Sequence, residues 1–362
     1  MKKLFIYAAF TTLLLSCSSK DDPKPPVGST GKYDFSAVDK FLMDHLSVYG
    51  NHVAILVSQN GQVIYKQQIN LAINSNLPIA SASKWLSASV IMKLVDEHKL
   101  SLDDTVGKYL PIFTQNHKGN ITIRQLFSLT AGFEGEIDAD NIASKPEYHK
   151  DFTLAQAVDS IAVYSPLINP PGKAFNYCST SMQIAGRIAE LVSGESWQAL
   201  FNKKIAGPCH MTAQYLQMSA QNPLIAGGVH TTAQDYLNFL QMIVNKGLYN
   251  GTRVLSEDAI ATMELDQTRG AEIQTTPYVS NVYSPFPTSP VRYGIGNWRD
   301  EVDNSGNAVE TSSPGLFGTH PWQDSKHLIA GIIFTRTEPR KSANISLQIR
   351  QMIRDIVDKS SN

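Results

Sequence analysis

Apolar positions at strand spacing lie near both ends of the chain. Residues 53–58 and 63–66 flank Asn60-Gly61, which predicts a β-hairpin closed by a two-residue turn. Two more strand-like runs come late in the chain, at 292–298 and 328–335. Because the strands lie at both ends, the pattern predicts one sheet that the two ends of the sequence build together.

Apolar residues three and four positions apart dominate the rest of the chain and predict helices. This spacing runs through most of residues 100–225, which Pro/Gly loops interrupt, and it also marks 35–49, 233–245 and 344–358. Residues 267–290 contain several prolines and are predicted to be a long irregular surface segment. The helices between the two groups of strands therefore form a mainly helical insert.

The charge balance gives no sign of a nucleic-acid surface. The 362 residues carry 31 Lys and Arg against 32 Asp and Glu, and the basic residues are scattered. Cys178 and Cys209 either pair or stay as two separate thiols, which we favour. No Cys/His cluster has zinc spacing and no phosphate loop occurs, so we expect neither a metal nor an organic cofactor.

The N-terminal segment has the features of an export signal. A positively charged start precedes an apolar run over 4–15 that is too short and too weakly flanked for a stable membrane span. The run ends in Leu14-Leu15-Ser16-Cys17, which resembles the lipobox of bacterial lipoproteins. We expect a signal peptide at 1–16, a lipid on Cys17 and a tether over 17–32, in an outer-membrane lipoprotein facing the periplasm or the cell surface. An ordinary secretory signal is the alternative.

Ser81-Ala82-Ser83-Lys84 carries the most informative chemistry in the chain. It opens an apolar-periodic helix, and residues i and i+3 share a helix face, so the Lys84 side chain can reach the Ser81 hydroxyl. A serine hydroxyl becomes a nucleophile when a neighbouring amine takes its proton, and a helix N-terminus favours the oxyanion that follows. A lone Ser-x-x-Lys is more often a helix cap with a solvated lysine, so the rest of the sequence has to decide.

Four further segments accompany this motif in a fixed order. They are LSLDDTV with YLP at 100–111, ITIRQLFSLTAGF at 121–133, PGKAFNYCS at 171–179 and GGVHTTAQD at 227–235. Together with Ser81-x-x-Lys84 they resemble the serine β-lactamase/penicillin-binding-protein superfamily, in its class C-like and esterase-like branch. The resemblance covers roughly residues 33–358. The Gly-x-Ser-x-Gly elbow of α/β-hydrolases is missing from the sequence.

The resemblance implies an α+β fold of the β-lactamase/transpeptidase type. Its antiparallel sheet would come from both chain ends, flanked by helices, with a mainly helical inserted lobe. We expect the α/β lobe at about 33–98 and 227–358 and the helical lobe at about 99–226.

The resemblance also gives Tyr177 and Ser179 roles. Tyr177 would lie on a loop at the lobe interface and direct its phenol at Ser81, where it moves protons together with Lys84. A phenol whose usual pKa is about 10 does this only beside a positive charge. A tyrosine packed before a helix is the alternative. Ser179 replaces the family's asparagine, and its hydroxyl can still donate one hydrogen bond to Lys84 or to a substrate carbonyl.

The third motif departs from the family. Where relatives have Lys-Thr-Gly or His-Thr-Gly, the spacing to the last strand gives Ser313-Pro314-Gly315-Leu316, without a cation. Gly315 allows close backbone approach, and we expect the N–H groups of Leu316 and Ser81 to hold an oxyanion. The missing cation makes substrates that need a carboxylate anchor, β-lactams among them, less favoured.

Three other polar side chains near the motifs are interpreted as structural. We expect Arg292 at a strand end and His320 on the surface; replacement of the missing cation by one of them is the alternative. We expect His230 to be a solvated or capping histidine, because the family needs no histidine there. For the segment 317–322, a substrate wall and core packing are equally open.

These assignments predict a serine hydrolase that works through an acyl-enzyme. The substrate would be an ester, amide or peptide-like molecule of the cell envelope, with β-lactams and D-Ala-D-Ala peptides as variants. The alternative is a penicillin-binding or sensor-type lipoprotein that is acylated without turnover. The sequence leaves the substrate and the oligomeric state open.

Overall fold

The structure, a computed structural model, describes residues 32–136, 142–277, 292–337 and 339–360. Short and long strands alternate with helices along these ranges. The strands are β1 Val53–Gln59, β2 Gln62–Ile69, β3 Leu77–Pro78, β4 Ala174–Asn176, β5 Gln214–Tyr215, β6 Val229–Thr231, β7 Leu248–Tyr249, β8 Thr252–Arg253, β9 Glu272–Thr275, β10 Trp298–Val302, β11 Ala308–Ser312, β12 His320–Asp324 and β13 Ile329–Phe334. The α-helices are α1 Ser36–Asp44, α2 Ser83–Asp96, α3 Val106–Tyr109, α4 Pro111–Gln115, α5 Ile123–Phe127, α6 Leu154–Tyr164, α7 Thr180–Ser193, α8 Trp197–Phe201, α9 Ala233–Val244, α10 Glu257–Glu264 and α11 Pro339–Lys359.

A six-stranded antiparallel sheet in the order β10-β11-β12-β13-β1-β2 joins the two ends of the chain. The join is the pairing of β1 with β13, in which Ile55 lies opposite Ile333. The predicted hairpin is β1 and β2, and both turn residues, Asn60 and Gly61, have the positive φ that such a turn requires. The predicted α+β fold with a sheet built from both chain ends is therefore confirmed.

Helices cover both faces of this sheet. On the outer face, α1 and α11 pack over a cluster that includes Val57, Trp322 and Ile333. On the inner face, α9 packs against β1, β12 and β13, and the adjoining core includes Leu56 and Ile332. Burial on both faces explains why the central strands read as continuous apolar runs rather than alternating ones.

Helix α2 is the centre of the inner layer. Its residues from Ser83 to Met92 are all buried. It contacts α7 and α8 of the helical insert and α10, which follows the insert in the chain. A helix buried all round loses the one-sided stripe of a surface helix. The elements between α2 and β6 are mainly helical, as predicted, although the exact lobe boundaries stay a prediction.

Two predictions about the C-terminal half were wrong. Residues 292–297 do not form a strand: only Tyr293 makes an isolated bridge, and β10 begins at Trp298. Gly296 has a φ of +80°, and a Cβ there would lie 2.7 Å from the Lys84 carbonyl oxygen, so this segment bends to pack on α2. Within 267–290, residues Glu272–Thr275 form β9, which pairs in parallel with β4.

Other predictions fall on parts of the chain that the structure does not describe. The signal peptide, Cys17 and nearly all of the tether lie outside the described residues, as does 278–291. Within the described ranges, no helix has the length and apolar character needed to cross a membrane.

Candidate active site

Ser81 lies on a short turn of 3₁₀-helix, Ala80–Ala82, directly before α2. The helix proper begins at Ser83, two residues later than its predicted start. Ala80 has a φ of +45°, in the left-handed region that costs a non-glycine residue roughly 1–2 kcal/mol. The chain thus makes a sharp entry into α2, and Ser81 is left half-buried at the edge of a cleft.

Lys84 lies beneath Ser81 and is only 1% exposed. Its Nζ atom lies 3.1 Å from the Ser81 Oγ atom and 3.2 Å from the Ala226 carbonyl oxygen. It also lies 4.6 Å from the centre of the Tyr177 ring. No carboxylate of the described ranges forms an ion pair with it. The one-turn spacing predicted from the sequence therefore brings the amine within hydrogen-bonding distance of the hydroxyl.

Tyr177 follows β4 and is held from both sides of its backbone. Its N–H donates to the Thr275 carbonyl oxygen at 2.8 Å, and its own carbonyl oxygen accepts from the Glu136 N–H at 2.9 Å. The ring stacks on Trp298 with 5.3 Å between centres and an angle of 18°. These contacts place the ring between Lys84 and Trp298 at the cleft, with 9% of the residue exposed.

Ser179 does not make the hydrogen bond to Lys84 that was one of its two predicted bonds. Its hydroxyl donates to the Glu136 carboxylate at 3.0 Å rather than to Lys84, and its N–H donates to the other carboxylate oxygen at 2.7 Å. The Tyr148 hydroxyl lies 3.0 Å from the Ser179 Oγ atom. A serine has only one hydroxyl proton, and here the Glu136 carboxylate accepts it.

The third motif forms the opposite wall of the cleft. It follows β11, and the Ser313 hydroxyl donates to the Ser81 carbonyl oxygen at 3.3 Å. Gly315 packs so closely that a Cβ atom there would lie 2.1 Å from the carbonyl oxygen of Ile79. Leu316 comes next and is 60% exposed at the cleft mouth. Backbone N–H groups from the Ser81 turn and from this loop thus lie on facing walls.

The cleft between these walls is small and mostly apolar, with a volume of about 70 Å³. Its lining includes Pro314 of the third motif and adds two side chains that sequence reasoning missed, Pro277 and Trp298. Trp298 lay in a segment that was interpreted as a plain strand, and Pro277 in one interpreted as irregular surface. Nothing local in the sequence marks either residue as part of a site.

None of the polar residues set aside in the sequence lines the cleft. His320 is buried on the same sheet face as Trp322, so its assignment to the surface was wrong. Burial and the nearby Arg350 charge lower the pKa of His320 to about 3, which leaves it neutral. His230 lies in β6 and does not cap a helix. Arg292 lies 4.0 Å from Asp266.

The two cysteines of the described ranges are separate, as favoured above. Cys178 and Cys209 are both buried free thiols. Burial, and the Glu136 charge in second place, raise the pKa of the Cys178 thiol, so it stays protonated next to Tyr177.

This fold and this arrangement of serine, lysine and tyrosine define a class of proteins. The model of the Beta-lactamase family matches residues 50–351, and the chain belongs to that family. Among solved structures, a Bacteroides dorei protein assigned to the β-lactamases is 29% identical, with a TM-score of 0.79 over 90% of this chain and 99% of that one. EstCE1, described as a hydrolase with promiscuous acyltransferase activity, is 20% identical with a TM-score of 0.70 over 88% of this chain and 96% of that one, which shows the shared fold.

Curated relatives match over shorter stretches. Penicillin-binding protein 4 of Amycolatopsis lactamdurans is 29% identical over 215 residues, which is 51% of this chain and 55% of that protein. Protein flp of Staphylococcus aureus is 29% identical over 172 residues, 44% of this chain and 33% of its own length. The matched region thus spans about a third of the one relative and about half of the other.

Proposed function

We propose that this protein is a serine hydrolase that cleaves neutral esters through an acyl-enzyme. The observation that carries the proposal is the 3.1 Å contact between the Lys84 Nζ and Ser81 Oγ atoms at the floor of a cleft that Tyr177 also lines. A nucleophile and a base at hydrogen-bonding distance are the minimum that covalent acyl transfer requires.

In the proposed reaction, the Ser81 Oγ atom attacks the substrate carbonyl carbon while Lys84 takes the hydroxyl proton. The N–H groups of Ser81 and Leu316 hold the oxyanion of the tetrahedral intermediate. Collapse of the intermediate breaks the bond to the leaving oxygen, which receives a proton by way of Tyr177. Water then attacks the acyl-enzyme, releases the acid and returns the proton to Ser81.

Three features of the cleft favour a neutral ester over a substrate with a carboxylate or an acylamino group. The third motif has no cation, so a substrate carboxylate would lose its anchor. The Ser179 hydroxyl donates to Glu136 and so is not available to a substrate amide. The rim of Pro277, Pro314 and Leu316 is apolar. Desolvating a charged or amide group here without a partner would cost free energy.

We also propose that the mature protein is a lipoprotein of the outer membrane, attached through Cys17. The Leu-Leu-Ser-Cys end of the N-terminal apolar run supports this. Metabolic labelling with an alkyne fatty acid should mark the wild-type protein but not Cys17→Ala. Equal labelling of both proteins would refute lipid attachment at Cys17.

A substrate panel tests the hydrolase proposal. Wild type should turn over p-nitrophenyl acetate many times and act far more slowly on nitrocefin and D-Ala-D-Ala peptides, whereas Ser81→Ala should lose turnover. Ser89→Ala is a matched control, since Ser89 is a buried serine of α2 that bonds only its own helix. One acylation without turnover would favour the binding or sensor alternative. Preferred hydrolysis of nitrocefin would refute the preference for neutral esters.

A further inference from the structure

The turn after Tyr177 is joined to a distant acidic residue by several hydrogen bonds. Glu136 donates its N–H to the Tyr177 carbonyl oxygen at 2.9 Å. Its two carboxylate oxygens accept the Ser179 N–H at 2.7 Å and the Ser179 hydroxyl at 3.0 Å. The residue therefore contacts the turn on both sides of Cys178.

Tyr148 extends this network. Its hydroxyl lies 3.0 Å from the Ser179 Oγ atom and donates to a Glu136 carboxylate oxygen at 3.3 Å. Because the Ser179 hydroxyl donates to Glu136, the Tyr148 hydroxyl can donate either to the Ser179 Oγ atom or to the Glu136 carboxylate. Each polar atom of the group therefore has a partner. Hydrogen bonds to a carboxylate are shorter and roughly twice as strong as bonds between neutral groups.

The position of the carboxylate is also electrostatically favourable. Ser179 is the residue that precedes α7, so Glu136 lies at the N-terminus of a 14-residue helix, where the helix dipole favours negative charge. The Tyr177 ring stacks on Trp298, meets Tyr293 edge to face and lies 4.6 Å from the Lys84 Nζ atom. The backbone turn sets the position from which the ring makes these contacts.

We propose that Glu136 is a positioning residue of the active site: it braces the turn of Tyr177 and Ser179 so that the phenol is held beside Ser81 and Lys84. The inference rests on the proposed function, because it needs Tyr177 to move protons during acyl transfer.

The test measures acylation and turnover on p-nitrophenyl acetate and butyrate with full-length protein. Glu136→Ala should lower kcat about 10- to 100-fold, as expected for the loss of charge-assisted hydrogen bonds, and change KM less than about twofold. Glu136→Gln keeps an acceptor for the Ser179 N–H and should stay within about threefold of wild type. The loss should be equal for the two esters, because Glu136 does not touch the substrate.

A double-mutant cycle separates positioning from a general loss of stability. Ser179→Ala should lower kcat several-fold in the wild type and have almost no effect in Glu136→Ala, because the acceptor of its hydroxyl is already gone. Glu134→Gln, an exposed carboxylate two residues away, is the control and should leave kcat unchanged. If Glu136→Ala does not fold, Glu136→Gln and Ser179→Ala still carry the comparison.

The outcomes distinguish this inference from the proposed function. If a fluorophosphonate does not label wild type at Ser81, the proposed function fails. If wild type is labelled and Glu136→Ala has the wild-type kcat, the proposed function stands and the positioning role is refuted. A rise in KM for one ester alone would make Glu136 a substrate contact instead.

Discussion

Substitution of Gly315 by alanine tests the facing walls of the cleft. The added Cβ atom would lie 2.1 Å from the Ile79 carbonyl oxygen, whereas ordinary contact begins at 3.4 Å. The two walls would therefore have to separate by about 1.3 Å, since the obstructing atom belongs to the backbone and not to a flexible side chain. One wall carries the Ser81 N–H and the other the Leu316 N–H.

The expected result follows from the displacement of these two donors relative to each other. A misplacement of about 1 Å in a catalytic array costs about 100-fold in rate, and loss of one oxyanion donor costs about 100- to 1,000-fold. We therefore expect Gly315→Ala to lower kcat/KM for p-nitrophenyl acetate about 100-fold, which corresponds to about 2.7 kcal/mol in the transition state.

A second glycine provides the matched control. A Cβ atom on Gly331 would lie 2.3 Å from the Trp322 ring, a clash about as close as that at Gly315. Gly331→Ala, like Gly315→Ala, should therefore lower the melting temperature. Trp322 belongs to the outer core and does not line the cleft, so kcat/KM of the folded Gly331→Ala protein should stay within about threefold of wild type. Gly315→Ala with wild-type kcat/KM, or equal activity losses in both variants, would refute the reasoning.

Three further predictions concern the proton relay, the outer sheet face and pH. Tyr177→Phe removes the phenol proton but keeps the stacking on Trp298, and it should lower kcat for p-nitrophenyl acetate about 100-fold or more. An unchanged kcat would refute the role of Tyr177 as a proton relay. Arg350→Met should lower the unfolding free energy in urea by about 3–5 kcal/mol, because the buried Asp300 carboxylate would lose its guanidinium partner and Glu310 would keep only Arg354; a loss below about 1 kcal/mol would contradict this. Burial raises the pKa of Glu147 from 4.5 to about 7. The protonated side chain therefore contributes fully to folding stability below pH 4.5, and this contribution is lost as the pH rises to about 7. In thermal melts, the melting temperature of Glu147→Gln should therefore rise relative to that of wild type between pH 5 and pH 8. A difference in melting temperature that stays constant over this range would refute the raised pKa of Glu147.

Local patterns in the sequence predicted the parts of the fold that depend on local chemistry. The Asn60-Gly61 turn demands a positive φ at both residues, and the hairpin follows from that. Helix α9 has an apolar periodicity and strand β13 is a continuous apolar run, and both were predicted almost to the residue. The contact of Lys84 with Ser81 needs only helical geometry, and so it too could be predicted.

Features made by residues far apart in the chain could not be predicted. Strands β4 and β9 are three and four residues long and lie about 100 residues apart, so neither has a pattern that specifies the pairing. Glu136 reaches Ser179 across 43 positions, and no local signal marks either end. His320 was assigned to the surface because a strand buried on both faces lacks the alternation that reveals burial.

The most direct test of the central claim is the mass of the protein and of its Ser81 peptide after reaction with a fluorophosphonate. We predict one adduct per molecule, on Ser81, with Ser81→Ala unlabelled and Lys84→Met labelled at least about 100-fold more slowly because the base is gone. An adduct on another residue, or Ser81→Ala labelled as fast as wild type, would contradict the assignment of Ser81 as the nucleophile.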